Sequence, residues 1–110
     1  MKKLYAFHWD CGRMGELDGL FVATDEVIEI IVGKVVNFGE VLGKHSDVYG
    51  TLKDSDLRVS SEDPAVIAWF EREFKYGFGH QPISQLRDEG GLTDEEWIAL
   101  DEAIQRMTTT

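Results

Sequence analysis

The sequence predicts an α+β fold, a four- to five-stranded, mostly antiparallel sheet with one short helix and two C-terminal helices packed on it. Three observations carry that prediction. Residues 3–10 alternate strictly, which places Tyr5, Phe7 and Trp9 on one face of a strand and Leu4, Ala6 and His8 on the other. Two apolar runs, 35–41 and 48–52, flank a glycine-bounded polar loop and read as a central hairpin with a long tip. Asp63-Pro64 and the pair Thr93/Glu96 are helix starts late in the chain.

Taken in order, strand 3–10 leads into Asp-Cys-Gly-Arg-Met-Gly-Glu-Leu-Asp, a glycine-rich hairpin loop that returns into 19–23, so these two strands are expected to be antiparallel neighbours. Thr24 followed by Asp25 and Glu26 starts a short helix over 25–32, with an acceptor for orphan amides and negative charge at the positive end of the dipole. Gly33 supplies a left-handed cap to end it, although the β-branched run 27–32 suits a strand equally well. If that helix is a right-handed crossover, strand 35–41 runs parallel to 20–23, and loop 42–47 falls at the opposite end of the sheet from loop 11–18. Leu57-Arg58-Val59 adds a short edge strand after the Lys53-Asp54-Ser55-Asp56 turn.

In the first C-terminal helix Val66, Phe70 and Phe74 form one stripe with Ile67 beside it, while Trp69 falls off it. Residues 76–91, rich in glycine, read as an ordered connection anchored by Phe78, Ile83 and Leu86. In the last helix Leu92 and Trp97 take staple positions around the capping box. Trp97, Leu100, Ile104 and Met107 then face the core, and Asp94, Glu95, Asp101 and Glu102 stay outside.

Composition bounds the function. The 110 residues, 43% apolar and 11% aromatic, suffice for a single domain spanning 1–110 whose core needs no disulfide or metal. No stretch reaches the roughly 18 apolar residues of a membrane span, and Met1-Lys2-Lys3-Leu4 leads into alternating aromatics rather than a signal-peptide block, so a cytoplasmic protein with no membrane association is expected. Cys11 is the only cysteine, which excludes an internal disulfide. A net charge of −10 opposes direct binding of DNA or RNA and favours a protein partner with a basic surface. The sequence leaves a homo-oligomer open.

Several residue sets invite chemistry. Gly39-Glu40-Val41-Leu42-Gly43-Lys44-His45-Ser46 resembles a P-loop, but its spacer is one residue short, His45 replaces the magnesium-binding hydroxyl, and a turn and strand follow where a helix is needed. A looser anion site would use the backbones of both glycine-rich loops with Arg13, Lys44, His45 and Ser46, and Asp47 beside them. His8, Asp10, Cys11, His45, Asp47 and His80 are ligand types used by zinc, and His8 and Asp10 share a strand face, yet they lack close paired spacing; no metal and no cofactor is expected. Cys11 could pair with His45 or His80 as an activated thiolate, but nothing around it resembles a nucleophile elbow, and no catalytic residue is assigned.

The strings Trp9-Asp-Cys-Gly-Arg-Met-Gly, Phe38-Gly-Glu-Val-Leu-Gly-Lys-His-Ser-Asp and Tyr49-Gly-Thr-Leu resemble those of small uncharacterised acidic α+β proteins of bacteria and phages. The resemblance covers about the first 63 residues, implies a phage or prophage origin, and brings no active site with it. The function expected is non-catalytic binding of another macromolecule through an acidic face of Asp88, Glu89, Asp94, Glu95, Asp101 and Glu102, with the tip residues Arg13, Lys44, His45, Ser46 and Asp47 as contacts. Given a phage origin, its specific form is an inhibitor of a host protein, such as a defence nuclease or another nucleic-acid-binding protein. The competing class is a sequestering or sensing protein that holds a small molecule or anion between the two loops, and an enzyme ranks third.

Overall fold

A computed structural model of the chain describes residues 1–42, 47–75, 77–88 and 92–108. Strand β1 (Lys3–Asp10) pairs with β2 (Glu16–Ala23) over its whole length, from Lys3 opposite Ala23 to Asp10 opposite Glu16. Between them Gly12–Met14 form a single 3-10 turn, closed by the Cys11 N–H donating to the Gly15 carbonyl at 2.8 Å and the Gly12 N–H donating to the Asp10 carboxylate at 2.9 Å. The sheet is completed by β5 (Leu57–Ser61) beside β1 and β6 (Gly77–Gly79) beside β2, giving the antiparallel order β5-β1-β2-β6.

The hairpin of β3 (Val35–Gly39) and β4 (Val48–Thr51) forms a separate two-stranded sheet. It does not extend the first sheet parallel to β2, because β6 holds that edge. It packs instead on the face of Tyr5, Phe7 and Trp9, where the ring of Phe38 lies 5.6 Å from Phe7 and 5.5 Å from Trp9. Helix α1 (Asp25–Ile31) starts as its sequence requires, with the Val27 N–H donating to Thr24 Oγ1, and Gly33 follows it in the left-handed region at φ 92°.

Helix α2 (Pro64–Phe74) is capped by Asp63, whose carboxylate accepts the Ala65 N–H at 2.9 Å. It lies over the opposite sheet face, where Lys2 pairs with Glu71 at 2.8 Å and Phe74 meets Phe78 of β6 with ring centroids 5.0 Å apart. Its buried residues are Ile67 and Phe70, whereas Val66 is exposed and Phe74 sits at the border. The 76–91 connection contains both β6 and α3 (Pro82–Asp88). Ile83 and Leu86 are core residues, as expected, but Phe78 is not, because its place opposite Leu20 puts it on the second sheet face beside the border residue Phe74.

Helix α4 (Asp94–Thr108) opens on the capping box: the Thr93 N–H donates to Glu96 at 3.0 Å, and the Glu96 N–H donates to Thr93 Oγ1 at 3.2 Å. Leu100, Ala103, Ile104 and Met107 are buried, while Trp97, expected in the core, stays 42% exposed at the margin of that stripe. Arg106 pairs with Glu26 of α1, and Lys34 pairs with Glu96, so ion pairs tie the last helix to the first half of the chain. The architecture is therefore the expected α+β class, a four-stranded antiparallel sheet with helices on it, plus the two-stranded layer.

Candidate functional site

The two faces of the main sheet differ in how they are covered. One is closed by the β3/β4 hairpin and by α1, α3 and α4. The other is covered by α2 at the end where Leu4 and Val22 are buried, and its far half is open. There Ala6, Leu20 and Phe78 floor a groove of about 580 Å³, walled by His8, Asp18, Asp56 and Arg58. Phe78, 55% exposed, continues through Phe74 to Trp69, 48% exposed, each ring within 6 Å of the next.

At the mouth of this groove the antiparallel register sets His8 opposite Asp18, with Asp10 opposite Glu16 one step along the same face. Nδ1 of His8 lies 2.7 Å from a carboxylate oxygen of Asp18. That hydrogen bond raises the His8 pKa above its ordinary value of 6.5, and the charges of Asp18, Glu16 and Asp10 add to the rise. Sequence spacing paired His8 with Asp10 alone, since Asp18 and Glu16 come alongside only once the hairpin register is known.

A second groove, about 530 Å³, runs between the end of β1 and β4. Cys11 and Asp47 both line it, and Leu42 lies 3.7 Å from the position a side-chain carbon on Gly15 would take. The two loops therefore adjoin, contrary to the crossover expectation, because the β3/β4 hairpin is folded over the sheet rather than added to its edge. Of the loop residues singled out by sequence, Lys44, His45 and Ser46 lie outside the described residues, Arg13 is exposed on the 3-10 turn, and Asp47 is exposed at the groove. Among the described lining residues the carboxylates of Asp10, Asp47 and Asp56 outnumber the single ammonium of Lys53.

Of the six residues expected to form the acidic face, four lie on α4. Asp94, Glu95 and Glu102 are exposed on α4 and Asp101 is partly so, while Glu89 lies outside the described residues and Asp88 ends α3. Sequence reasoning passed over the residue at the centre of this face. Ile98 is 51% exposed, and the positions three and four residues away on either side are Glu95, Asp94, Asp101 and Glu102. Those are its nearest neighbours on a helix surface, so an apolar side chain stands in a ring of four carboxylates.

No protein-family model matches the chain, and neither does any curated protein or solved structure.

Proposed function

We propose that the protein is a non-catalytic acidic binding protein that docks the outer face of α4 on a basic surface of another macromolecule. The observation that carries this reading is Ile98, exposed and surrounded by Asp94, Glu95, Asp101 and Glu102. An apolar anchor inside a charged rim is the arrangement in which the anchor supplies affinity and the rim supplies steering and register. The net charge of −10 extends the same field over the whole molecule and selects a basic protein rather than a nucleic acid. The specific form of the proposal is inhibition of a host nucleic-acid-binding protein, such as a defence nuclease, whose basic groove the α4 carboxylates would occupy.

A photo-crosslinking residue at position 98, used in the bacterial host, tests this. A cross-linked protein with a basic patch is expected, and its binding to the purified chain weakens with salt and with the Asp94→Asn, Glu95→Gln, Asp101→Asn, Glu102→Gln variant. Binding that persists in that variant and in ~0.5 M salt, where charges are screened within a few ångströms, overturns it.

A small molecule held between the two loops is the second reading, favoured by their adjacency at Gly15 and Leu42. The acidic described lining of that groove opposes an anion. A nucleotide-like ligand retained by the chain and lost on Arg13→Ala or Lys44→Ala would move the assignment to the loops.

A further inference from the structure

We propose that His8, Glu16 and Asp18 form a binding site for a divalent first-row transition-metal ion, with zinc as the reference ion. The three side chains stand on one face of the β1/β2 hairpin, each offering one ligand atom, and these atoms all lie within 4.8 Å of one another. Ligands bonded at about 2.1 Å to a tetrahedral or octahedral ion sit roughly 3 to 3.5 Å apart, so small rotations of exposed side chains close the set without moving the backbone.

Charge argues in the same direction. Asp10 and Glu16 face each other across the strands with Asp18 beside them, and His8 is the one basic group of the four. Like charges placed opposite one another on a sheet are destabilising, and a bound cation relieves them. The donor set selects the ion: one imidazole nitrogen with two carboxylate oxygens suits zinc, cobalt or manganese, while an all-oxygen set would suit magnesium or calcium.

The site also has somewhere to present a ligand. His8 and Asp18 belong to the wall of the 580 Å³ groove floored by Ala6, Leu20 and Phe78. Three protein ligands leave coordination positions open, as in zinc sites that hold a water or a small donor molecule. The ion would sit where the open half of the sheet meets its only described cluster of this kind. This inference is independent of the α4 docking face, and either can fail without the other.

The test is titration of the chelator-treated protein with Co²⁺ and with Zn²⁺, followed by cobalt absorption, calorimetry and backbone NMR. Saturable binding of one equivalent is expected, with paramagnetic broadening centred on residues 8, 10, 16 and 18 and a rise in melting temperature with Zn²⁺. His8→Ala, Glu16→Gln and Asp18→Asn should each weaken binding by at least roughly tenfold, the loss that even an outer-shell partner typically brings. The variants alter exposed side chains, and their NMR dispersion checks that they remain folded. A His45→Ala, His80→Ala double variant should bind as the parent does. Unchanged affinity in His8→Ala and Asp18→Asn, broadening centred on Cys11 or His45, or no saturable binding overturns the assignment.

Discussion

The indole Nε1 of Trp9 donates to the carboxylate of Asp56 across 2.9 Å, and the same oxygen accepts the backbone N–H of Lys53 at 2.9 Å. One side chain thus ties the end of β1 to the turn that launches β5, and it also borders both grooves. Asp56→Ala leaves the indole N–H and the Lys53 amide without that acceptor. Hydrogen bonds to a charged group contribute about 1.5 to 3 kcal/mol, so a stability loss of that order is expected in urea unfolding. Trp fluorescence should shift with it, and Asp56→Asn, which keeps an acceptor, should lose less.

Gly19 sits where β2 and β6 approach each other. A side-chain carbon there would fall 1.8 Å from the His80 carbonyl oxygen, which is backbone and can yield only if the strand moves. Gly19→Ala should therefore push β6 off the sheet edge, at a cost of about 1 to 3 kcal/mol or more. Faster amide exchange at residues 77–80 with little change at β1 would localise the damage, and a fully stable variant would contradict this geometry.

The α4 capping box gives an acid-side prediction. Hydrogen bonds from Lys34 and the Thr93 backbone hold the Glu96 carboxyl down at about 2. A depressed carboxyl contributes stability that is present above its unfolded value and is lost as pH falls through the folded one. Thermal melts should thus show a Glu96-dependent loss as pH falls from about 4.5 towards about 2, absent in Glu96→Gln. Separately, Thr93→Ala removes an N-cap and should cost about 1 kcal/mol at neutral pH.

Tyr5 supplies the alkaline counterpart. Burial raises its pKa above the ordinary 10.0, and the neighbouring charge of Asp25 raises it further. A raised value means the protonated phenol is favoured in the fold, so this contribution is complete below the unfolded pKa and is lost as pH rises through the folded one. Ultraviolet difference titration should show a phenol phase displaced above pH 10.0, and Tyr5→Phe should remove that phase. A titration curve that Tyr5→Phe leaves unchanged above pH 10.0 would contradict the effect of the ring's burial.

The candidate surfaces were legible to different degrees. The ring around Ile98 needs only helix periodicity, because the residues three and four positions away are neighbours on any α-helix. The cluster of His8, Glu16 and Asp18 needs a hairpin register set by the 3-10 turn at Gly12–Met14, and no pattern within one strand shows it. The adjacency of the two loops needs the position of a whole layer.

By itself the sequence determined where β1, α1, the β3/β4 hairpin, α2 and α4 form, while β6 and α3 lie in a stretch that reads only as a connection. The alternation of β1, the Thr24, Asp63 and Thr93 caps and the β3/β4 hairpin rest on interactions within a few residues, which local chemistry decides. Only the tertiary structure decided which strand takes each sheet edge, and therefore that β3/β4 becomes a second layer over Phe7 and Trp9. It also decided that Phe78 and Trp97 stay partly in solvent, while Ile67, rather than Val66, joins the core. Those outcomes depend on which apolar faces find partners across long sequence separations, and amphipathic periodicity marks such a face without naming what covers it.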